Sequence, residues 1–156
     1  MAMDFGVAQH IRETRAKHPE KLAEVYAKRK KRDVISGDGR LFIIAADHPA
    51  RGALSVRNEP MAMADRYKLL ENLALALSRP GVDGVLGTPD IIDDLALMGV
   101  LDDKIVVGSM NRGGLKGAKF EMDDRVTGYD IPSIVRDGLN FAKMLNRINF
   151  EDEGTA

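Results

Sequence analysis

The sequence predicts an α/β fold in which parallel strands are covered by helices, preceded by a pair of N-terminal helices. Short apolar runs without alternation are separated by stretches whose apolar residues recur at helical spacing. Such continuous runs are typical of strands buried on both faces. Strands that alternate with helices form parallel sheets through right-handed crossovers. The pattern is shared by the doubly wound sheet and the barrel, so it leaves both architectures open.

The chain begins with two predicted helices, at residues 6–18 and 20–32, with a proline between them. Proline suits a first helical turn and disfavours helix at the residue before it. Clustered glycine and small polar residues at 36–39 then break the pattern. We therefore expect residues 1–37 to form a helical extension and residues 38–156 to form the α/β domain.

The α/β domain opens with the apolar run Leu41–Ala46, the first predicted strand. A helix is predicted at 61–77 and strands at 82–86 and 104–107, with a weaker fourth strand at 125–128. Between the second and third strands, Thr88 followed by proline is a good helix start, and that helix extends to Met98.

The tail, residues 131–150, has two interpretations. Its apolar residues can line one long helix, or a helix can end near Asn140 and be followed by a strand over 142–148. Periodicity alone does not choose between them.

Composition excludes several kinds of function. Twenty-three basic and 24 acidic residues leave a net charge of -1, which gives no argument for nucleic acid or an anionic membrane as partner. The basic run 28–32 is expected to be a solvated helix face. The chain has no cysteine, and its three histidines lack metal-ligand spacing, so we expect no metal and no cofactor. No apolar stretch approaches the roughly 18 residues of a membrane span. We expect a soluble, cytoplasmic protein.

Candidate functional residues follow the predicted strands, because parallel α/β folds bind ligands at the carboxyl ends of their strands. They are Asp47, His48, Arg51, Thr88, Asp90, Ser109, Asn111, Arg112 and Asp130. For Thr88, Ser109 and Asp130, a role as helix caps or turn formers is an equally ordinary interpretation.

Asp47 stands out because it directly follows six apolar residues and must lose water on folding unless a partner compensates. One interpretation is a buried ion pair with Arg51 that braces the loop. The other makes Asp47 a proton-transfer group, with His48 beside it.

Four segments together resemble a known family. Phe42-Ile-Ile-Ala-Ala-Asp47-His48-Pro-Ala-Arg51-Gly52-Ala-Leu54 is similar to the first-strand motif of class I aldolases of the tagatose-bisphosphate kind. Three further segments are Gly87-Thr-Pro-Asp90, Gly108-Ser-Met-Asn111-Arg112-Gly-Gly114 and Asp123-Asp124-Arg125…Gly128-Tyr129-Asp130. Together the four segments resemble an actinobacterial family of aldolase-like (β/α)₈ proteins, some of which are associated with inositol catabolism. The resemblance covers roughly residues 38–155.

The resemblance implies a partial (β/α)₈ TIM barrel, with Asp47 as acid/base group and His48 assisting. It divides the tail at Asn140 and implies a strand with Lys143, Leu145 and Arg147 on one face, where Lys143 is an accessory cation in the active site. A solvated helix residue is the alternative for Lys143. Substrate contacts are expected from Arg51, Thr88, Asp90, Ser109, Asn111, Arg112 and Arg147.

The family's Schiff-base lysine and its partner glutamate lie on later strands than this chain contains. A complete barrel needs about 250 residues, and an open sheet edge must be covered or paired. We therefore expect a truncated copy with little turnover, or completion by a second half-barrel or a homo-oligomer.

The expected function is that of a metal-free class I aldolase acting on a phosphorylated ketose or deoxy-keto sugar acid. The alternative is a non-catalytic, self-associating half-barrel that binds a sugar phosphate. The glycine-rich segment 108–117 does not match a P-loop or dinucleotide fingerprint. It either contacts phosphate through backbone amides or is a plain connection.

Overall fold

A computed structural model describes residues 5–35, 37–111, 114–123 and 125–151. Its helices and strands follow the predicted order, a helix pair and then strands that alternate with helices. They are α1 (Phe5–Lys17), α2 (Glu20–Lys28), β1 (Ile43–Ala45), α3 (Arg66–Leu77), β2 (Gly84–Gly87), α4 (Pro89–Leu97), β3 (Ile105–Ser109), α5 (Ile131–Arg136) and β4 (Phe141–Lys143). A short 3-10 helix, His48–Arg51, follows β1.

The four strands form one parallel sheet in the order β1-β2-β3-β4. The register aligns Ala45 with Leu86, Leu86 with Val107, and Val107 with Phe141. Each strand therefore pairs with the next one along the chain, and the order contains no reversal. The predicted α/β class with a parallel sheet and surrounding helices is confirmed.

The two faces of the sheet differ in how they are covered. Ile44, Val85 and Val106 share one register line and belong to the core, which they form with residues of α3 and α4 such as Leu70 and Ile92. On the next register line, Ala45 is exposed and Phe141 is 42% exposed. The expectation of burial on both faces is thus correct for β3, which is buried throughout, and wrong for the edge strand β1.

The N-terminal helices pack on the α/β part of the chain. The Tyr26 hydroxyl on α2 donates to the Asp93 carboxylate on α4 at 2.8 Å. After α2 ends, the Arg29 guanidinium donates to backbone carbonyls of Lys104 and Gly138. Arg29 is only 7% exposed, so the expectation of a solvated basic face at 28–32 is wrong for this residue. The cause is the extended backbone that follows Lys28, which turns the side chain inward.

Several predicted elements are shorter or absent. Helix α2 ends at Lys28, before the predicted position 32. Helix α3 begins at Arg66, later than the predicted position 61, because Asp65 caps it by accepting from the Lys68 amide at 3.0 Å. Residues 125–128 do not form a strand of the sheet. Val126 makes only an isolated antiparallel bridge to Asn111.

The tail is a short helix followed by a strand. Gly138 adopts φ +64°, a left-handed conformation that ends α5, and L-residues rarely adopt it. Asn140 then fixes the chain to β3: its backbone amide donates to the Val106 carbonyl, and its side-chain oxygen accepts from the Val106 amide, both at 2.9 Å. Strand β4 therefore spans Phe141–Lys143, so the one-helix interpretation is wrong. The predicted strand over 142–148 is too long, since Leu145 and Arg147 lie beyond its end.

A network of charges joins α1, α3 and α4 around Asp94, whose side chain is 2% exposed. Arg15 Nε donates to one carboxylate oxygen at 2.7 Å, and Arg66 Nη2 donates to the other at 2.6 Å. Arg66 also contacts Asp90. Because a buried carboxylate is costly without compensating donors, both arginines are needed.

We expect Arg66→Ala to lower the free energy of unfolding by about 3 kcal/mol, since it leaves a buried carboxylate only partly compensated. Arg66→Lys should lie between this variant and the wild type, because an ammonium lacks the guanidinium fork. Urea denaturation measures both. The control, Lys68→Ala on the same helix, removes an exposed ion pair with Glu71 and should cost no more than about 0.5 kcal/mol. Equal losses for Arg66→Ala and the control would contradict the network's role.

Candidate functional site

The site centres on Asp47, two residues after the end of β1 and 3% exposed. One of its carboxylate oxygens, Oδ2, accepts from the Lys143 ammonium at 2.9 Å and from the Ser109 hydroxyl at 3.1 Å. Lys143 ends β4 and Ser109 ends β3. Three predicted site residues, from strands far apart in the chain, therefore meet at one carboxylate.

The register of the sheet explains this convergence. Ser109 pairs directly with Lys143 across the β3–β4 ladder. Side chains alternate between the faces of a strand, so residues two apart share a face. Ala45, Val107 and Phe141 lie on one register line of the sheet. Each of the three site residues, Asp47, Ser109 and Lys143, comes two positions after one of them. All three side chains thus belong to the face that the helices leave uncovered, at the carboxyl ends of the strands.

Asn111, 1% exposed, holds the chain beyond β4. Its side-chain amide donates to the Leu145 carbonyl at 2.8 Å, and its side-chain oxygen accepts from the Leu145 amide at 2.7 Å. This reciprocal pair fixes the segment that carries Lys143. The Asn111 carboxamide is thus engaged with the Leu145 backbone, and its role as a substrate ligand stays a prediction.

His48 and Arg51 lie on the 3-10 helix that follows Asp47. The His48 side chain is 50% exposed, and its Nδ1 lies 3.9 Å from Asp47 Oδ1, beyond hydrogen-bond distance. Arg51 forms an ion pair with Glu121 at 3.7 Å. Among the described residues, Asp47 pairs with Lys143 and Arg51 pairs with Glu121, so the interpretation of a bracing pair between Asp47 and Arg51 is not supported.

Thr88 and Asp90 belong to the start of α4. The Thr88 hydroxyl donates to Asp90 at 2.6 Å, and Arg66 contacts the same carboxylate. Burial by itself would raise the pKa of Asp90, but the hydrogen bonds from Thr88 and Arg66 outweigh it and the pKa is lowered. These residues border a cavity of about 350 Å³ between the 3-10 helix, α3 and α4, and neither Asp47 nor Lys143 is among its lining residues. The predicted residue Arg112 lies outside the described residues.

The structure also settles the roles of two predicted caps. Asp130 forms a capping box with Ser133 at the start of α5, and hydrogen bonds from Ser133 hold the pKa of Asp130 below its usual range. Asp130 is therefore a helix cap, as one interpretation expected. Ser109 caps no helix and instead donates to Asp47.

Glu121 is a site residue that the sequence analysis missed. The Arg147 guanidinium donates to its backbone carbonyl, and its carboxylate lies beside Arg51. No periodicity surrounds Glu121, so nothing in the pattern distinguishes it from any other loop acid. Asp93 on α4 was also not singled out, and burial raises the pKa of this carboxyl group.

Within the described ranges, no three histidine, aspartate or glutamate side chains are grouped so that they could hold a metal ion. Over the same part of the chain, no helix combines the length and apolar character that crossing a bilayer requires.

The fold and site define a mixed α/β protein whose parallel sheet brings a buried carboxylate and an ammonium together at the carboxyl ends of its strands. Residues 39–156 match the model of the Cgl0159-like family, and the chain belongs to that family. No protein with a curated description matches it.

Among solved structures, the chain is similar to the crystal structure of Cgl0159 from Corynebacterium glutamicum, with 61% sequence identity and a TM-score of 0.94. The match covers 99% of this chain and 53% of that chain. This chain therefore spans about half of the length of Cgl0159.

We expect Lys143→Met to lower the free energy of unfolding by about 3 kcal/mol at neutral pH, because it leaves the buried Asp47 carboxylate without its ammonium. The double variant Asp47→Asn/Lys143→Met should lose less than the sum of the two single variants. Urea denaturation of all three completes the cycle, with Lys119→Met, at an exposed lysine, as the control. Additive losses would show that the pair does not contribute to folding.

Proposed function

We propose that this chain forms the first half of a (β/α)₈ barrel and supplies the proton-transfer side of a class I aldolase-like active site. The substrate is a phosphorylated ketose or a deoxy-keto sugar acid. The observation that carries the proposal is the Lys143–Asp47 contact of 2.9 Å at the carboxyl ends of β4 and β1. In barrel enzymes, catalytic groups come from the ends of several different strands on this face.

The same contact favours a barrel over a doubly wound sheet. In a flat sheet, β1 and β4 would stand about 14 Å apart, three spacings of about 4.8 Å, and their side chains would project in parallel. The side chains of Asp47 and Lys143 converge instead, as they do when a sheet curls toward its inner face. The strand order also lacks the reversal that creates the ligand crevice of doubly wound folds.

In the proposed reaction, an amine of the complete enzyme condenses with the substrate ketone and releases water, forming an iminium. The Asp47 carboxylate then accepts the proton of the substrate hydroxyl. As the carbon–carbon bond breaks, its electron pair moves into the iminium to give an enamine, and an aldehyde leaves. The condensing amine belongs to the part of a longer chain, such as Cgl0159, that this chain does not span.

The residues around Asp47 suit this role. Burial removes most of the water that would compete for the carboxylate, and the Ser109 hydroxyl helps to fix its orientation. The Lys143 ammonium would lower the pKa of a neighbouring condensing amine, which keeps that amine nucleophilic. Asn111 holds the backbone beyond Lys143 and so preserves the geometry. The exposed His48 ring, with Nδ1 3.9 Å from Asp47 Oδ1, would assist the proton transfer once a small side-chain movement brings it within hydrogen-bond distance.

A non-catalytic, self-associating half-barrel that binds a sugar phosphate is the second candidate. It is favoured by the uncovered face of the sheet, where Ala45 is exposed and Phe141 is 42% exposed. Exposed apolar patches of this kind mark association surfaces. This candidate predicts dimers at micromolar concentration and ligand binding without a covalent adduct.

Reductive trapping separates the candidates. With dihydroxyacetone phosphate and sodium borohydride, we expect a covalent adduct on Cgl0159 and none on this chain alone, as judged by intact-protein mass spectrometry. Borohydride without the ketose phosphate is the control. If Cgl0159 forms no adduct with any of a panel of ketose phosphates and keto sugar acids, the Schiff-base assignment is wrong.

A chimera tests Asp47 itself. In a protein that joins this chain to the unmatched half of Cgl0159, Asp47→Asn should reduce the rate of carbon–carbon cleavage by about 10²- to 10⁴-fold, the usual contribution of a general base. The borohydride adduct should still form, since condensation uses another residue. Asp130→Asn is the matched control, because asparagine also caps helices. Unchanged cleavage in the Asp47→Asn chimera would remove Asp47 from the mechanism.

A further inference from the structure

The backbone that follows α2 runs past the N-terminal ends of the strands, opposite the end that carries Asp47 and Lys143. Residues 29–32, here called the strap, come directly after the last residue of α2. The strap is bonded to the loop before β3, since the Lys30 amide donates to the Asp102 carboxylate and the Lys30 carbonyl accepts from the Asp103 amide, both at 3.0 Å. Its backbone is therefore fixed at the start of β3.

Arg29 joins the starts of β3 and β4. Its Nη1 donates to the Lys104 carbonyl at 3.0 Å, and its Nη2 donates to the Gly138 carbonyl at 2.7 Å. Lys104 directly precedes β3, and Gly138 lies three residues before β4. A guanidinium presents its donors in a rigid fork, so one side chain fixes the separation of the two carbonyls.

Arg32 reaches the other two strands through Asp83. Its Nη1 donates to Asp83 Oδ1 at 2.7 Å, and Asp83 Oδ2 accepts from the Phe42 amide at 2.8 Å. These hydrogen bonds, that from Phe42 first, hold the pKa of Asp83 below its usual range. Because Phe42 directly precedes β1 and Asp83 directly precedes β2, the strap is connected to the starts of all four strands.

Burial makes the Arg29 guanidinium a poor means of gaining stability. The residue is buried, burial lowers its pKa, and the acceptors of both hydrogen bonds are neutral carbonyls. Buried charges are weak sources of stability, and their best-attested use is to specify one arrangement of the chain. That use fits this position, because the two strands that Arg29 joins end at Ser109 and Lys143, the residues that hold Asp47.

We propose that the strap positions the Asp47–Lys143 pair from the opposite end of the sheet, with Arg29 as a positioning residue for the active site. By holding the starts of β3 and β4 together, Arg29 fixes the direction of β4 and so the place where Lys143 meets Asp47. It acts through the strand, since up to about 16 Å of extended backbone separates Gly138 from Lys143. The relevance to carbon–carbon cleavage rests on the proposed function, whereas the effect on the pair rests on these contacts.

A double-mutant cycle between Arg29 and Lys143 tests the link in this chain. Substitutions at sites this far apart normally act independently, so their effects on the unfolding equilibrium constant multiply. We expect Lys143→Met to change this constant at least about fivefold less in the Arg29→Met background than in the wild type, because the pair is already loosened there. Urea denaturation gives the four constants. Effects that multiply to within about twofold would overturn the proposal.

The ¹⁵Nζ signal of Lys143, assigned by its loss in Lys143→Met, reports the pair directly. In folded Arg29→Met this signal should move toward those of exposed lysines. In Arg29→Lys it should lie between this variant and the wild type, because an ammonium can still donate to the carbonyls. An unmoved signal in folded Arg29→Met would reduce Arg29 to a stabilising role and overturn the proposal.

Lys30→Met is the matched control, since it removes an exposed charge from the same strap and leaves the backbone hydrogen bonds in place. An equal movement of the Lys143 signal in Lys30→Met overturns the proposal, because the effect would then be one of net charge. Circular dichroism checks that each variant is folded, and Arg29→Lys replaces Arg29→Met in the cycle if the latter does not fold.

The outcome is separable from the aldolase proposal. Neither measurement involves carbon–carbon cleavage, so a failed borohydride experiment on Cgl0159 leaves the effect of the strap on the Asp47–Lys143 pair standing. Conversely, if the adduct forms on Cgl0159 while the Lys143 signal is unmoved in Arg29→Met, only the role of the strap is wrong.

Discussion

The hydrogen bond between Lys143 and Asp47 joins the two outermost strands of the sheet, and the arrangement of the site depends on it. It requires β1 and β4 to present their ends to the same space, and it requires the register across β2 and β3 to be correct. A slip of one residue in any ladder would turn one of these side chains to the helix-covered face. The contact also compensates a carboxylate that is 3% exposed. Folding and chemistry are therefore constrained by the same pair.

Two asparagines keep that register at β4, an edge strand with a ladder of three residue pairs to β3. Asn140 bonds to the backbone of Val106 before the strand, and Asn111 bonds to the backbone of Leu145 after it. A three-residue edge strand has few ladder hydrogen bonds of its own, so these side-chain bonds make up for its length. Lys143 lies between the two anchors. Its position is thus fixed by polar contacts to backbone more than by apolar packing.

The kinds of contact that hold each element explain which features could be predicted from the sequence. The apolar runs identify β1, β2 and β3, although only β3 is buried along its whole length, and Asp47 was detectable as a charge directly after such a run. The tail was ambiguous because its apolar residues fit both periods, and Gly138 and Asn140 decide between them through local backbone geometry. Glu121 and the bridge at Val126 depend on the path of an irregular loop, which no periodicity encodes.

The charges at the rim of the sheet form two pairs of different strength. Asp47 is buried and hydrogen-bonded to Lys143, whereas Glu121 is partly exposed and only loosely paired with Arg51. Asp47 depends more strongly on its partner, because loss of the ammonium would leave a charge in a desolvated position. The geometry that the proposed proton transfer needs is therefore fixed when the chain folds, and the looser Glu121–Arg51 pair can rearrange without disturbing it.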